Sequence, residues 1–337
     1  MSKLSQLGDP LEKLNNGIDF DIFRSLLEEK LTIEPKGVGG RPPYDYVLMF
    51  KIMILQRYYN LSDEQVEYQI NDRMSFMRFL DLTIADDIPD SRKVWTFRER
   101  LTDLGLVESL FDLFLKSLES LNLIVNEGKI IDANFIEVPR QRNSRDENKQ
   151  IKSGEIPKSF TDNPHKSAQK DTDARWTKKN KVNYFGYKNH VKEDAKSKLI
   201  TKYIVTDASV HDSNATDILL DENDKGEPFY ADSAYSGVPQ EAIIEGKEME
   251  NQVYEKGAKN RPLTKEQITN NREKSRVRSR VEHIFGFMEM SMNGMYIQHI
   301  GIKRATAVIG LMNLTFNLFR KIQLVATCIM RDNNAFL

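Results

Sequence analysis

The stretch Lys129-Ile130-Ile131-Asp132-Ala133-Asn134-Phe135-Ile136-Glu137-Val138 decides the fold. It follows Gly128 and ends at Pro139, and within it the helical period of the preceding residues gives way to a β-strand rhythm. Alternation puts Asp132 on one face with Ile130 and Ile136. A carboxylate on an apolar strand face is costly to bury alone, so a cation must answer it or the face must open into a cleft. Lys129 is near in sequence, but a regular strand points it to the other face. A salt-bridged or half-exposed acid is the plain alternative.

Upstream, residues 15–125 read as helical. Phe20, Phe23 and Leu27 recur at helical spacing, as do Leu48, Ile52 and Leu55. Ser62 with Gln65 fits a capping box, Asn71-Asp72-Arg73 ends that short helix, and residues 74–80 open another. Short helices with tight polar turns resemble a helix-turn-helix arrangement. Residues 94–101 and 106–123 complete the helical region.

Downstream, residues 139–181 show no clear period and carry a local net charge of +6, which reads as a solvated insertion. Strands are expected at 183–192, 199–208, 228–232 and 250–254, with helices at 215–220 and 240–246. A long helix is expected from about Asn271, with Val277, Val281, Ile284 and Met288 on one face. A last apolar helix, 305–322, is expected to pack on the sheet. Three early strands followed by strand–helix alternation give a mixed α/β sheet.

The chain has 337 residues, a length that suits about two domains. Its single cysteine, Cys328, excludes an intramolecular disulfide and a multi-cysteine zinc site. A metal must sit on carboxylates or on the five histidines. The N-terminus lacks the apolar core of a signal peptide, and the most apolar run, 47–55, is too short to span a bilayer. A cytoplasmic protein with no membrane partner is expected.

The net charge of −1 hides an uneven distribution, since residues 256–280 alone carry +7. Asp232 ends the apolar run Phe229-Tyr230-Ala231, where ligands bind in open α/β sheets; its plain alternative is a turn or N-cap aspartate. Glu282 stands four residues after Arg278, at ion-pair spacing, beside the apolar stripe of its helix. Three oxygen donors from separate elements suit a magnesium or manganese site for phosphodiester chemistry. The two basic runs then favour nucleic acid, bound largely through phosphate neutralisation. His190, His211 and His283 read more readily as structural residues than as ligands.

At these residues the chain resembles the DDE transposases of bacterial insertion sequences, the large group numbered five. The matching segments are Ile130-Ile131-Asp132-Ala133, Asp171-Thr172-Asp173-Ala174-Arg175-Trp176-Thr177-Lys178-Lys179 and Phe185-Gly186-Tyr187-Lys188-Asn189-His190-Val191. They continue as Val210-His211-Asp212-Ser213, Tyr230-Ala231-Asp232-Ser233-Ala234-Tyr235 and Arg278-Ser279-Arg280-Val281-Glu282-His283. Arg41-Pro42-Pro43-Tyr44 and Ser75-Phe76-Met77-Arg78-Phe79 resemble the family's helical DNA-binding part.

The resemblance implies an RNase H-like catalytic domain at 126–337, with its basic insertion at 139–181, behind a helical DNA-binding region at 1–125. It implies Asp132 as first-strand acid, Asp232 as fourth-strand acid and Glu282 as helix acid, together holding Mg2+, with Mn2+ able to substitute. Lys178, Lys179, Lys188, Arg276, Arg278 and Arg280 become candidate DNA contacts. The implied partners are transposon inverted-repeat ends and target DNA, joined by at least a homodimer at the bacterial nucleoid. The family signature has a tyrosine three before the arginine and a basic residue seven after the glutamate; Ser275 and Glu289 stand there. The alternative reading is an inactive or domesticated transposase-derived DNA-binding protein.

Overall fold

The computed structural model describes residues 5–32, 42–257 and 261–334. Met1 to Leu4, Arg41 of the quoted Arg-Pro-Pro-Tyr run and Lys259 of the second basic run lie outside the described residues. Contacts divide the chain into two units: Met1–Val125 with Gly286–Asn293 and Gly310–Leu337, and Asn126–Phe285 with Gly294–Ile309.

The first unit is helical, with helices at Pro10–Gly17, Arg24–Leu31, Tyr46–Tyr58, Asp63–Asp72, Met74–Phe79, Ser91–Asp103 and Leu106–Ser120. The helix Tyr46–Tyr58 is apolar on nearly every face and forms the middle of the core, where Phe50 meets Phe23 at 4.7 Å between ring centroids. Lys51, Gln56 and Arg57 are buried polar residues on that helix. The Lys51 Nζ reaches Asp81 at 2.7 Å and lies over the Phe79 ring at 4.9 Å, so its charge is answered twice. The Ser62–Gln65 capping box is present in both directions. The last helix, Ile302–Asn334, departs from its expected packing. From Gly310 onward it belongs to the helical unit, where Phe319 stacks on Tyr58 at 4.3 Å.

The second unit is built on a six-stranded sheet. Strand β1 is Lys129–Glu137, β2 Arg175–Lys179, β3 Val182–Asp194, β4 Ile200–Asp207, β5 Pro228–Tyr230 and β6 Glu250–Asn251. β3 runs antiparallel to β1 from Lys129↔Asp194 to Glu137↔Gly186, and β4 runs antiparallel to β3. On the other side of β1, β5 is parallel with Ile130 opposite Tyr230, and β6 is parallel to β5. An antiparallel trio followed by parallel strands on the far edge of the first strand is the RNase H-like arrangement, preceded here by a helical region.

The insertion is more ordered than its lack of period suggested. It holds helices at Arg145–Lys152, Lys158–Thr161 and Pro164–Ser167, and its last residues form β2 on the Val182–Gly186 part of β3. These elements are too short, and β2 too polar, to leave a periodic signature. Asp171 anchors the insertion, accepting from the Tyr187 hydroxyl at 2.7 Å and from the Gly301 N–H at 3.2 Å. The expected long helix after Asn271 also differs. It begins at Lys265, stops at Arg278, passes through the 3-10 turn Ser279–Val281 and resumes as Glu282–Met290.

Gly186 sits where β1 and β3 approach most closely. Its φ is +150°, and a Cβ there would lie 2.2 Å from the Ile136 carbonyl oxygen. Backbone cannot move aside as a flexible side chain can. Gly186→Ala is therefore expected to lower unfolding free energy by roughly 3 kcal/mol or more, read from denaturant midpoints at unchanged m-value.

Candidate active site

The pairing of β1 with β5 sets the centre of the site. Ile130 and Tyr230 are register partners, so Asp132 and Asp232 each stand two residues further along adjacent parallel chains. Asp132 is inside β1 and only 7% exposed. Asp232 lies just past β5, where the chain turns: its carboxylate accepts from the Ala234 N–H at 2.8 Å and caps the 3-10 turn Ser233–Tyr235. The capping aspartate of the plain alternative is thus present in the geometry.

The third acid comes from the broken helix. The turn Ser279–Val281 lies against β1, and Val281 is fully buried. Arg278 ends the helix before that turn and Glu282 begins the helix after it. Arg278 Nη2 donates to Asp132, and Nη1 donates to Glu282 at 3.1 Å. One guanidinium therefore joins the strand acid to the helix acid. Glu282 keeps its side chain 60% exposed, so the group opens to solvent on that side.

The electrostatics follow from burial. Desolvation lifts the Asp132 carboxyl to about 6; the opposing pull of Arg278 and the Ala133 N–H does not cancel it, and the charges of Asp232 and Glu282 push it further. Burial also works against the Arg278 charge, but Asp132 and Glu282 outweigh it and hold that pKa above its ordinary value. Lys129 is not the neutraliser of Asp132. Its Nζ donates to Asn126 at 2.7 Å and lies 3.5 Å from Glu227.

A divalent ion suits the chemistry of this donor set: three hard carboxylate oxygens that already draw in a cation. As placed, no three acid or imidazole groups among the described residues are close enough to share one ion. The Arg278 guanidinium lies between Asp132 and Glu282; Asp132, Asp232 and Glu282 are the residues that would hold such an ion, and Arg278 would have to give way for them to do so.

The candidate DNA contacts separate into two kinds. Lys178 on β2 and Arg276 on the helix Lys265–Arg278 are exposed. Lys179 is exposed as well, 3.8 Å from Asp212, with its Nζ 5.7 Å from the centroid of the Phe135 ring. Lys188 departs from the role of a free phosphate contact: it is 6% exposed and donates to Asp212 at 2.7 Å and to the Val210 carbonyl. Arg280 donates to the Ala195 carbonyl at 2.6 Å. Both cations are spent on the chain itself, because each lies where an internal acceptor needs a donor. His190 is buried beside Thr206, and burial pushes its pKa down to about 4, so it is neutral near pH 7. Sequence reading gave no partner to Asp212; its signal was the Val210-His211-Asp212-Ser213 motif, whose acid pairs with Lys188, 24 residues earlier on β3.

The Asp132 shift has a definite sign. Its folded value of about 6 lies above the unfolded value near 3.9. Its contribution to stability is therefore complete below about pH 4 and lost as pH rises through about 6. In metal-free protein, the thermal midpoint of wild type minus that of Asp132→Asn is expected to fall as pH rises from about 4 to about 6 and to level off above that. A difference that stays level or rises would mean that the Arg278 pair outweighs burial.

Comparison with known proteins was consistent at the level of family. Two solved structures are similar at low identity: a piggyBac transposase synaptic complex with hairpin DNA, at 12% identity, TM-score 0.44, 94% of this chain and 75% of that one; and the Mos1 strand transfer complex, at 11% identity, TM-score 0.20, 81% of this chain and 84% of that one. Residues 1–100 match the family described as Transposase domain (DUF772). Residues 125–318, more than half of the chain, match the family described as Transposase DDE domain. The chain belongs to the DDE transposases, enzymes that use divalent metal ions.

Proposed function

We propose that Asp132, Asp232 and Glu282 are the catalytic carboxylates through which this transposase cuts the ends of an insertion sequence and joins them to target DNA. The ions are Mg2+, with Mn2+ able to substitute. The observation that supports this reading is the gathering of β1, the end of β5 and a helix start around the single guanidinium of Arg278.

Divalent ions, when bound, supply the Lewis acidity that activates water and stabilises the leaving oxygen of a phosphodiester. The chain's own residues do the rest. Asp132 and Asp232 bring negative charge together on adjacent strands, and Glu282 closes the exposed side. Arg278, once withdrawn from Asp132, is placed to face phosphate charge. Water attacks the phosphodiester and frees a 3′-hydroxyl, which then attacks target DNA. No covalent link to the protein is required, so no nucleophilic serine or cysteine is needed.

Residues 1–125 are proposed to bind DNA and 126–337 to carry catalysis, with the basic insertion 139–181 adding phosphate contacts. The six ordered motifs support a reading of the chain as a member of the group numbered five. Joining two ends calls for at least two copies at the nucleoid. A DNA-holding derivative without cleavage is the second reading, kept because Ser275 and Glu289 replace signature residues.

Purified protein, given DNA that carries the gene's own flanking ends, is expected to produce 3′-hydroxyl ends and joined products with Mg2+ or Mn2+ and none with EDTA. Asp132→Asn, Asp232→Asn and Glu282→Gln should each lower cleavage by about 10³-fold or more while DNA binding persists. Binding without cleavage by wild type would favour the derivative. The exposed cations have a separate signature. Lys178→Ala and Arg276→Ala should each reduce the slope of log affinity against log salt by about 0.9, measured by fluorescence anisotropy.

A further inference from the structure

The helix Ser91–Asp103 has two unlike faces. Val94, Phe97, Arg98 and Leu101 are buried, and the helix packs on its neighbours Tyr46–Tyr58, Asp63–Asp72 and Leu106–Ser120. Arg92, Lys93, Trp95 and Thr96 face outward, with Trp95 48% exposed. The start of the helix is fixed from two sides. The Asp90 carboxylate accepts from the Lys93 N–H at 2.8 Å, and Glu67 of a neighbouring helix accepts from the Ser91 N–H at 2.7 Å. The outward side chains of the first turns therefore stand on a rigid base.

Among the described residues, no acceptor takes the Arg92 or Lys93 side chain. The other arginines of this region are spent. Arg24, Arg78 and Arg98 pair with carboxylates, Arg73 donates to Gln69, and Arg100 donates to the Leu31 carbonyl. Arg78 belongs to the run Ser75–Phe79, so that run offers DNA no free cation. Lys116 is exposed but stands between Asp112 and Glu119 at helical spacing. The helices Arg24–Leu31, Asp63–Asp72 and Leu106–Ser120 carry exposed or half-exposed acids, Glu28, Glu64 and Glu108 among them. A polyanion is repelled from those faces and admitted at this one. An exposed indole beside a free arginine is also the pairing found where a partner covers a surface.

We propose that the helix Ser91–Asp103 enters the major groove of the duplex at the element's end, Arg92 reading a base edge and Lys93 neutralising phosphate. A helix that reads the major groove does so with its N-terminal residues. The arginine fork suits bidentate contact with guanine, and the lysine point charge suits phosphate. Trp95, three residues after Arg92 and next to it on the helix surface, gives that face an apolar contact for a thymine methyl. The Thr96 hydroxyl donates back to the Arg92 carbonyl at 2.8 Å, so Arg92 and Lys93 are the free donors of the face. Asp90 and Glu67 already satisfy N–H groups of the first turn, so side chains and not backbone do the binding. The inference rests on the reading of residues 1–125 as the DNA-binding region.

The test titrates full-length protein by fluorescence anisotropy against two duplexes of equal length, one carrying the gene's own flanking end and one of unrelated sequence, over a range of salt. Arg92→Ala is expected to reduce the preference for the end duplex about tenfold. Lys93→Ala should weaken both duplexes alike and reduce the salt slope by about 0.9. Lys116→Ala should bind as wild type, and thermal midpoints should stay unchanged, since these side chains are exposed. Wild-type affinity and end preference in the double variant Arg92→Ala/Lys93→Ala would overturn the proposal. Photocross-linking of an iodouracil-substituted end duplex, with the linked peptide identified by mass spectrometry, separates the two readings. A peptide within 91–100 is expected. Cross-links elsewhere in 1–125 would overturn the assignment to this helix, and cross-links confined to 126–337 would overturn the DNA-binding region on which it rests.

Discussion

The second unit is organised around one buried charge. Asp132 sits within the central strand, opposite Val191 of β3 on one side and just past the end of the β5 pairing on the other, with its carboxylate buried and in need of a partner. The chain answers it with Arg278 from an element 146 residues away in sequence. That answer is incomplete, because burial still holds the Asp132 carboxyl at about 6. A fold with no use for this acid would gain by an apolar residue here, since a buried ion pair seldom outperforms well-packed hydrophobic side chains. The charge is kept where it costs stability, the property expected of the proposed cation site.

The remaining geometry follows from that demand. Parallel pairing of β5 on β1 delivers Asp232 level with Asp132, and the break at Ser279–Val281 sets Arg278 and Glu282 on either side of a turn that lies against β1. Gly186 permits β3 to approach β1 closely enough for the register to hold. At the start of β1, Lys129 and Lys192 meet Asp224, with Glu227 and Asp221 beside them, in a second ionic cluster.

Much of this was readable in the residues. The strand 129–137 carried its own signal because a short run rich in β-branched and aromatic residues lies between Gly128 and Pro139. The Ser62–Gln65 box was readable because capping is local chemistry. The three acids were readable singly, each with a plain alternative, and only their order along the chain, through the family resemblance, made them a set. Tertiary competition hid the rest. Lys188 and Arg280 look like free cations in a basic sequence, yet one is drawn to Asp212 and the other to a backbone carbonyl. β2 was hidden because Arg175-Trp176-Thr177-Lys178-Lys179 is a strand only by virtue of pairing with β3. The break after Arg278 was hidden because the apolar stripe from Val277 to Met288 runs through it unaltered.

The most direct test of the account is the anomalous scattering map of crystals of the protein grown with Mn2+. The account predicts a peak bonded to the carboxylates of Asp132 and Asp232, with the Arg278 guanidinium displaced from Asp132. A peak elsewhere, or an intact Asp132–Arg278 pair at saturating Mn2+, would contradict it.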